Sequence, residues 1–326
     1  CNYLIFNTVI KFEIFFFTHL VIKKTPDLII YTMSHIDYNT KYKICKEVFL
    51  LSYKRVLTIQ DISCVGQCSL TVALPIISAC GVETGIIPSA ILSTHTAGFS
   101  GFTFRDLTSD IPEIEKHWIK ENIKFDAVYT GYLGSTEQID YVKSIMDSTG
   151  KADSMNIVDP AMADNGKLYP LFNDEYVNAM KTLCAKADIV IPNITEASFL
   201  TDTEYKEVYD ADYVKELCDK LHALGAQTVV MTGVSYNDAT TGVVVSESGN
   251  FDYYEHKKIS KGCHGTGDVY ASAFCGALMR DKTKFDAAKI AADYVVKCIE
   301  NTQGDESHWY GVKFETAIPD LIDMLR

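Results

Sequence analysis

From about residue 55 onward, short aliphatic and β-branched runs alternate with segments whose apolar positions recur at helical spacing. Runs 56–60, 83–88, 126–130, 156–159, 188–192 and 228–232 have the length of buried strands, and 69–80, 136–148 and 212–224 read as helices between them. In the last of these, Tyr213, Leu217 and Leu221 fall four residues apart on one apolar face, with Lys215 and Glu216 outside it. Alternation of this kind predicts an α/β fold: a three-layer α/β/α sandwich with a mostly parallel central sheet. Runs 241–245 and 251–255 predict a hairpin turned around Ser248-Gly249-Asn250, and helices over 266–279 and 285–300 close the pattern. No internal repeat or linker interrupts this stretch, so 55–326 is expected to be one domain. In such sheets ligands bind outside the carboxyl ends of the strands. The polar residues that follow each strand are therefore the candidates for chemistry.

Composition narrows the classes. With 47% hydrophobic and 22% charged residues the chain has material for a sizeable core, and its net charge of -13 disfavours a nucleic-acid backbone as partner. The ten cysteines show neither a disulfide framework nor a zinc spacing. Buried free thiols in a reducing, cytoplasmic setting are expected. Residues 1–54 are expected to be an N-terminal extension, partly disordered or non-native before Met33. The apolar run 14–22 carries His19, is too short for a bilayer, and lacks a small-residue cleavage site. A mitochondrial-type transit peptide is the rival reading, set back by the absence of Arg and Ser there.

Three segments carry chemistry. Gly265-Thr266-Gly267-Asp268 stands immediately before an apolar helical run. Backbone N–H groups at such a helix start, with the positive end of the dipole behind them, form an anion hole for a phosphoryl group. Asp268, in the first turn, is placed to take a proton from an attacking hydroxyl. The competing reading is a plain turn followed by a capping aspartate. Asp159-Pro160, with Asp164 five residues on, offers carboxylates to a hydrated divalent cation, although turn chemistry explains the same residues. Pro192-Asn193-Ile194-Thr195-Glu196 ends a strand and starts a helix; it offers polar groups to nucleotide phosphates, or merely a helix cap. A P-loop and a dinucleotide fingerprint are both absent.

Taken in order, these segments resemble the ribokinase-like superfamily, and its pyridoxal kinase branch in particular. Gln60-Asp61-Ile62-Ser63-Cys64-Val65-Gly66, Ser93-Thr94-His95-Thr96-Ala97-Gly98-Phe99, Thr130-Gly131-Tyr132 and Val229-Val230-Met231-Thr232-Gly233 add to the match, which spans about 55–300. The resemblance implies that Asp268 is the base and that Gly265, Thr266 and Gly267 form the anion hole. It implies that Asp159, Asn193 and Glu196 serve ATP and Mg²⁺, with Asp164 also at the metal, and that Thr232 and Gly233 line the nucleotide site. It implies that Asp61 or Ser63, with Thr96 and Tyr132, meets a pyridine ring. A monovalent cation, K⁺, and a homodimer are implied as well. Ile191, where many relatives carry Thr, puts the cation site in question, and Ser93-Thr94-His95 departs mildly from Ser-Asn-His. Cys263 and His264 precede the anion hole without an assigned role.

The expected reaction is ATP-dependent phosphorylation of the hydroxymethyl group of pyridoxal, pyridoxine or pyridoxamine. The rivals are a hydroxymethylpyrimidine kinase and a non-catalytic nucleotide- or vitamin-binding protein. Phe99, Phe102 or Tyr132 is expected to wall an aromatic substrate, and residues 93–106 or 257–262 to close over it.

Overall fold

Strand-length apolar runs that are buried on both faces can satisfy their backbones only by pairing with one another, and helices must then cover both faces of the sheet. The computed structural model describes residues 53–259 and 264–326, of which Lys54–Arg326 make one compact unit. The expectations for residues 1–52 and Cys263, and residues 260–262 of the expected 257–262 lid, lie outside the described residues. The chain passes through β1 (Arg55–Ser63), α1 (Leu70–Ala79), β2 (Glu83–Leu92), β3 (Phe104–Asp106), α2 (Ile111–Lys120) and β4 (Phe125–Thr130). It continues through α3 (Thr136–Thr149), β5 (Gly150–Val158), the short strands β6 (Ala163–Asp164) and β7 (Lys167–Leu168), α4 (Asp174–Cys184), β8 (Ile189–Val190), α5 (Ile194–Leu200) and α6 (Ala211–Leu224). Strands β9 (Thr228–Val234), β10 (Thr240–Glu247) and β11 (Asn250–Lys257) precede α7 (Thr266–Met279), α8 (Lys284–Thr302) and α9 (Ile318–Met324).

The main sheet has the order β11-β10-β9-β8-β5-β4-β1-β2-β3. Pairing is parallel from β2 through β1, β4, β5 and β8 to β9. Antiparallel pairs finish both edges, β3 on β2 and the β10–β11 hairpin on β9. Because β2 and β4 flank β1 on opposite sides, the strand order reverses there, and a crevice opens at the carboxyl ends of β1 and β4. Ser248 (φ 51°) and Gly249 (φ 84°) turn the hairpin in the left-handed region, as a two-residue connection requires.

Side chains alternate across the sheet. Val56, Tyr129, Ile157 and Val230 face α1, α7 and α8, whereas Leu57, Val128, Val158 and Val229 face the layer that contains α3, α4 and α6. Helix α7 is buried along every residue from Val269 to Met279, which is why its sequence is apolar all round instead of striped. Small residues let it lie close to its neighbours: a Cβ at Gly276 would come 2.4 Å from Cys80 Sγ at the end of α1. Among the described residues no helix is long and apolar enough to cross a membrane.

The structure also contains elements that the periodicity did not announce. Helix α2 fully buries only Ile111 and Glu115, with Ile114 and Trp118 half-buried against the core, and β3 is three exposed residues long. Phe274 is fully buried in α7. Phe274→Ala should cost about 3–5 kcal/mol of stability, seen as a lower urea midpoint at unchanged slope.

Candidate active site

The first turn of α7 enters the crevice with Gly265 as its cap, at φ 76°. A Cβ there would lie 2.0 Å from the Gln67 carbonyl oxygen, so the turn seats directly on the β1–α1 loop and only glycine fits. A Cβ on Gly267 would meet nothing within 4 Å, so that side of the turn is open to a ligand. The helix start thus presents backbone N–H groups and the positive dipole end to the strand ends. Asp268 is the third residue of the helix. Burial pushes its carboxyl up to about 7, a rise restrained by a backbone hydrogen bond from Ser69 and reinforced by the Asp61 charge. An acid near neutrality suits a proton acceptor that must also release the proton.

Asp61 and Ser63 share one side of β1, and the Ser63 hydroxyl donates to Asp61 Oδ2 at 3.1 Å. Burial raises the Asp61 carboxyl, against hydrogen bonds from Ser69 and Ser63. The two residues form one hydrogen-bonded polar pair whose carboxylate charge reaches Asp268. Tyr132, after β4, has its phenol pushed up to about 12 by burial and by the Asp61 charge. Thr96 lies exposed in the loop after β2. The adjacent His95 accepts the Ala97 N–H on Nδ1 at 3.1 Å and bonds the Tyr310 carbonyl through Nε2 at 2.7 Å. That pattern fixes the neutral ring with its proton on Nε2, and burial lowers its tendency to charge. A Cβ on Gly66 would be 2.2 Å from His95 Cδ2, so the glycine of the β1–α1 loop makes room for the ring.

On the other flank, Asn193 caps α5. Its Oδ1 accepts the Glu196 N–H at 2.9 Å, and Glu196 Oε2 accepts the Asn193 N–H at 2.9 Å. Glu196 Oε1 accepts the Met162 N–H at 3.0 Å, and Asn193 Nδ2 donates to the Ala163 carbonyl at 2.9 Å. These bonds tie the loop after Asp159 to the start of α5. Burial carries Glu196 up to about 7 against the backbone N–H groups that hold it down. Asp159, just past β5, accepts the Ala161 N–H at 3.1 Å. Burial drives its carboxyl well above the usual range, with the Glu196 and Asp268 charges adding to it. Asp164 is exposed and bonds Asn165. Thr232 donates its N–H to the Pro192 carbonyl at 2.9 Å, and the adjacent Gly233, at φ 68°, borders open space.

The crevice gathers Asp61, Ser63, Tyr132, Asp159, Glu196 and Asp268 around the start of α7. It does not draw Asp159, Asp164 and Glu196 into one donor group: among the described residues no three acidic, His or Cys side chains form a metal cage. One or two carboxylates completed by waters and nucleotide phosphates is the set magnesium favours, and a strongly buried Asp159 fits it. Sequence reasoning missed Tyr169. Burial raises its phenol, with the charges of Glu196, Asp164, Asp159 and Asp268 adding to the rise. A lone Tyr after a two-residue strand gives no signal of that.

A sequence profile described as phosphomethylpyrimidine kinase matches residues 74–311. The chain belongs to the phosphomethylpyrimidine kinase family. This family member is 28% identical to the pyridoxal kinase of Dictyostelium discoideum, over 70% of its own length and 80% of that protein. It is 29% identical to the hydroxymethylpyrimidine/phosphomethylpyrimidine kinase of Bacillus subtilis, over 66% and 78%. A crystal structure of a candidate phosphomethylpyrimidine kinase from Bacteroides thetaiotaomicron, in a form with pyridoxal, superposes with a TM-score of 0.79 at 35% identity, covering 83% of this chain and 96% of that one. The protein is a kinase of the phosphomethylpyrimidine/pyridoxal kinase family with the ribokinase-like fold expected from its motifs.

Two outcomes follow from the geometry. Gly265→Ala puts a methyl group against the Gln67 carbonyl in a left-handed conformation and should lower stability by about 1–3 kcal/mol, read by thermal melting. The Asp268 value in the folded protein lies above the ordinary 3.8, so the folded state binds more protons between 3.8 and about 7. Stability from this group therefore falls as pH rises through that window. Asp268→Asn should melt several degrees above the wild type near pH 8 and close to it near pH 4.

Proposed function

We propose that this kinase transfers the γ-phosphoryl group of ATP to the hydroxymethyl group of pyridoxal, pyridoxine or pyridoxamine. The observation that carries the reading is the first turn of α7: a near-neutral Asp268 beside an open, glycine-lined helix start. Asp268 accepts the hydroxyl proton as the substrate oxygen bonds to the γ-phosphorus and the bond to the ADP leaving oxygen breaks. Backbone N–H groups of Gly265, Thr266 and Gly267 hold the charge on the transferred group, and positioning supplies most of the remaining rate. Magnesium bound with the nucleotide would offset phosphate charge, with Asp159 as the carboxylate that would hold it and Glu196 keeping the Asp159 loop in place. Thr232 and Gly233 border the nucleotide, and the Asp61–Ser63 pair with Thr96 and Tyr132 meets the polar substituents of the ring.

Support for the pyridine ring comes from the Bacteroides relative crystallised with pyridoxal. Hydroxymethylpyrimidine is the second reading, favoured by the Bacillus subtilis relative; it keeps every catalytic role and changes only the ring. ATP consumption with Mg²⁺ and K⁺ against the three vitamers and hydroxymethylpyrimidine separates them. Turnover on the vitamers is expected, and turnover confined to the pyrimidine would replace the proposal. Asp268→Ala should reduce kcat by about 10²–10⁴-fold. In the wild type, kcat/KM for the ring alcohol should climb about tenfold per pH unit and level off above about 7.

A further inference from the structure

Around the ring end of the crevice, three distant segments interlock, and the outermost piece is a tryptophan with no role in the chemistry above. Trp309 follows the short 3-10 turn Glu306–His308 and leaves 45% of its surface exposed. The benzo edge of its indole abuts Gly98, where a Cβ would come 2.8 Å from the indole Cζ3, at a φ of 89° that favours glycine. Its ring packs on Phe99, with centroids 4.7 Å apart. Phe99 in turn meets the edge of His95 at 5.0 Å, and His95 holds the carbonyl of Tyr310, the residue after Trp309. Gly311 closes the circuit: a Cβ there would come 2.5 Å from Gln67 Cβ, and Gln67 is the residue on which the anion-hole turn sits. Beside them Val65 is 52% exposed, and its carbonyl accepts the His95 N–H. Uncovered apolar surface at the mouth of a polar crevice marks a place that something apolar covers.

We propose that Trp309, backed by Phe99, is the outer wall against which the flat heteroaromatic ring of the acceptor stacks. Trp309 thereby sets affinity for the acceptor without touching the transferred group. This inference rests on the reading that the acceptor is an aromatic alcohol. The indole supplies a wide apolar face whose geometry is fixed by Gly98 and by the His95–Tyr310 bond, so stacking orders few torsions.

The protein has two tryptophans, and the other, Trp118, packs on Phe125 in the opposite layer. In a Trp118→Phe protein Trp309 is therefore the sole indole, and its fluorescence should be quenched saturably by pyridoxine, at concentrations matching KM. Trp309→Ala should raise KM for pyridoxine about tenfold while kcat and KM for ATP stay within about twofold. Trp309→Phe should recover most of the loss. Turnover with no saturable quench and an unchanged KM in Trp309→Ala would overturn the stacking wall and leave the kinase reading intact. Saturable quench by pyridoxine without turnover on any ring alcohol would do the reverse.

Discussion

Everything at this site hangs on how helix α7 is packed. Its first turn must reach into the crevice while the rest is buried among α1, α8 and the sheet, and small residues fix its depth. The helix is seated at both ends by contacts that tolerate no side chain, Gly265 on the Gln67 carbonyl and Gly276 on Cys80. Asp268 therefore inherits its position from core packing. A carboxylate carried by a surface loop would have no such precision, and its desolvation would be lost with each excursion of the loop.

That placement has an electrostatic cost. Asp61, Asp159, Glu196 and Asp268 are all shifted towards their neutral forms, chiefly by burial. Four acids in one crevice are a destabilising arrangement for the protein alone. Under the proposed phosphoryl transfer that arrangement has a use, one acid accepting a proton and another facing a cation carried in with phosphates. The two flanks are built differently. The Asp61–Ser63 pair is a local contact on one strand, whereas Glu196 is the hub of a capping box that also clamps the loop after Asp159. On that flank the capping reading of Asn193 and Glu196 is the one the hydrogen bonds show, and those same bonds fix where any ligand-facing atom of the two residues can lie.

Much of the fold was legible because buried parallel strands and amphipathic helices write themselves into hydrophobic periodicity. Helix α7 falls on 266–279 as expected, and the β10–β11 turn on Ser248-Gly249. Elements that bury little escaped: α2 fully buries two residues, and β3 is exposed. The Gly265-Thr266-Gly267-Asp268 helix start was legible as a motif, and it falls at the first turn of α7. Tyr169, and the link from His95 to Tyr310, were not. Their meaning comes from neighbours far away in the chain, and no local pattern records such a pairing.

The bond from His95 to Tyr310 joins residues 215 positions apart, and Gly311 and Glu315 both reach the same β1–α1 loop. The site is thus clasped by a segment far downstream of the strands whose ends it joins. While the protein is still on the ribosome, the sheet can assemble strand by strand, but the crevice lacks its closing segment until that stretch emerges. A chain made only as far as Asp268 holds Asp61, Asp159 and Asp268 without the segment that frames them, so the acids of the crevice are in place before its outer frame can form.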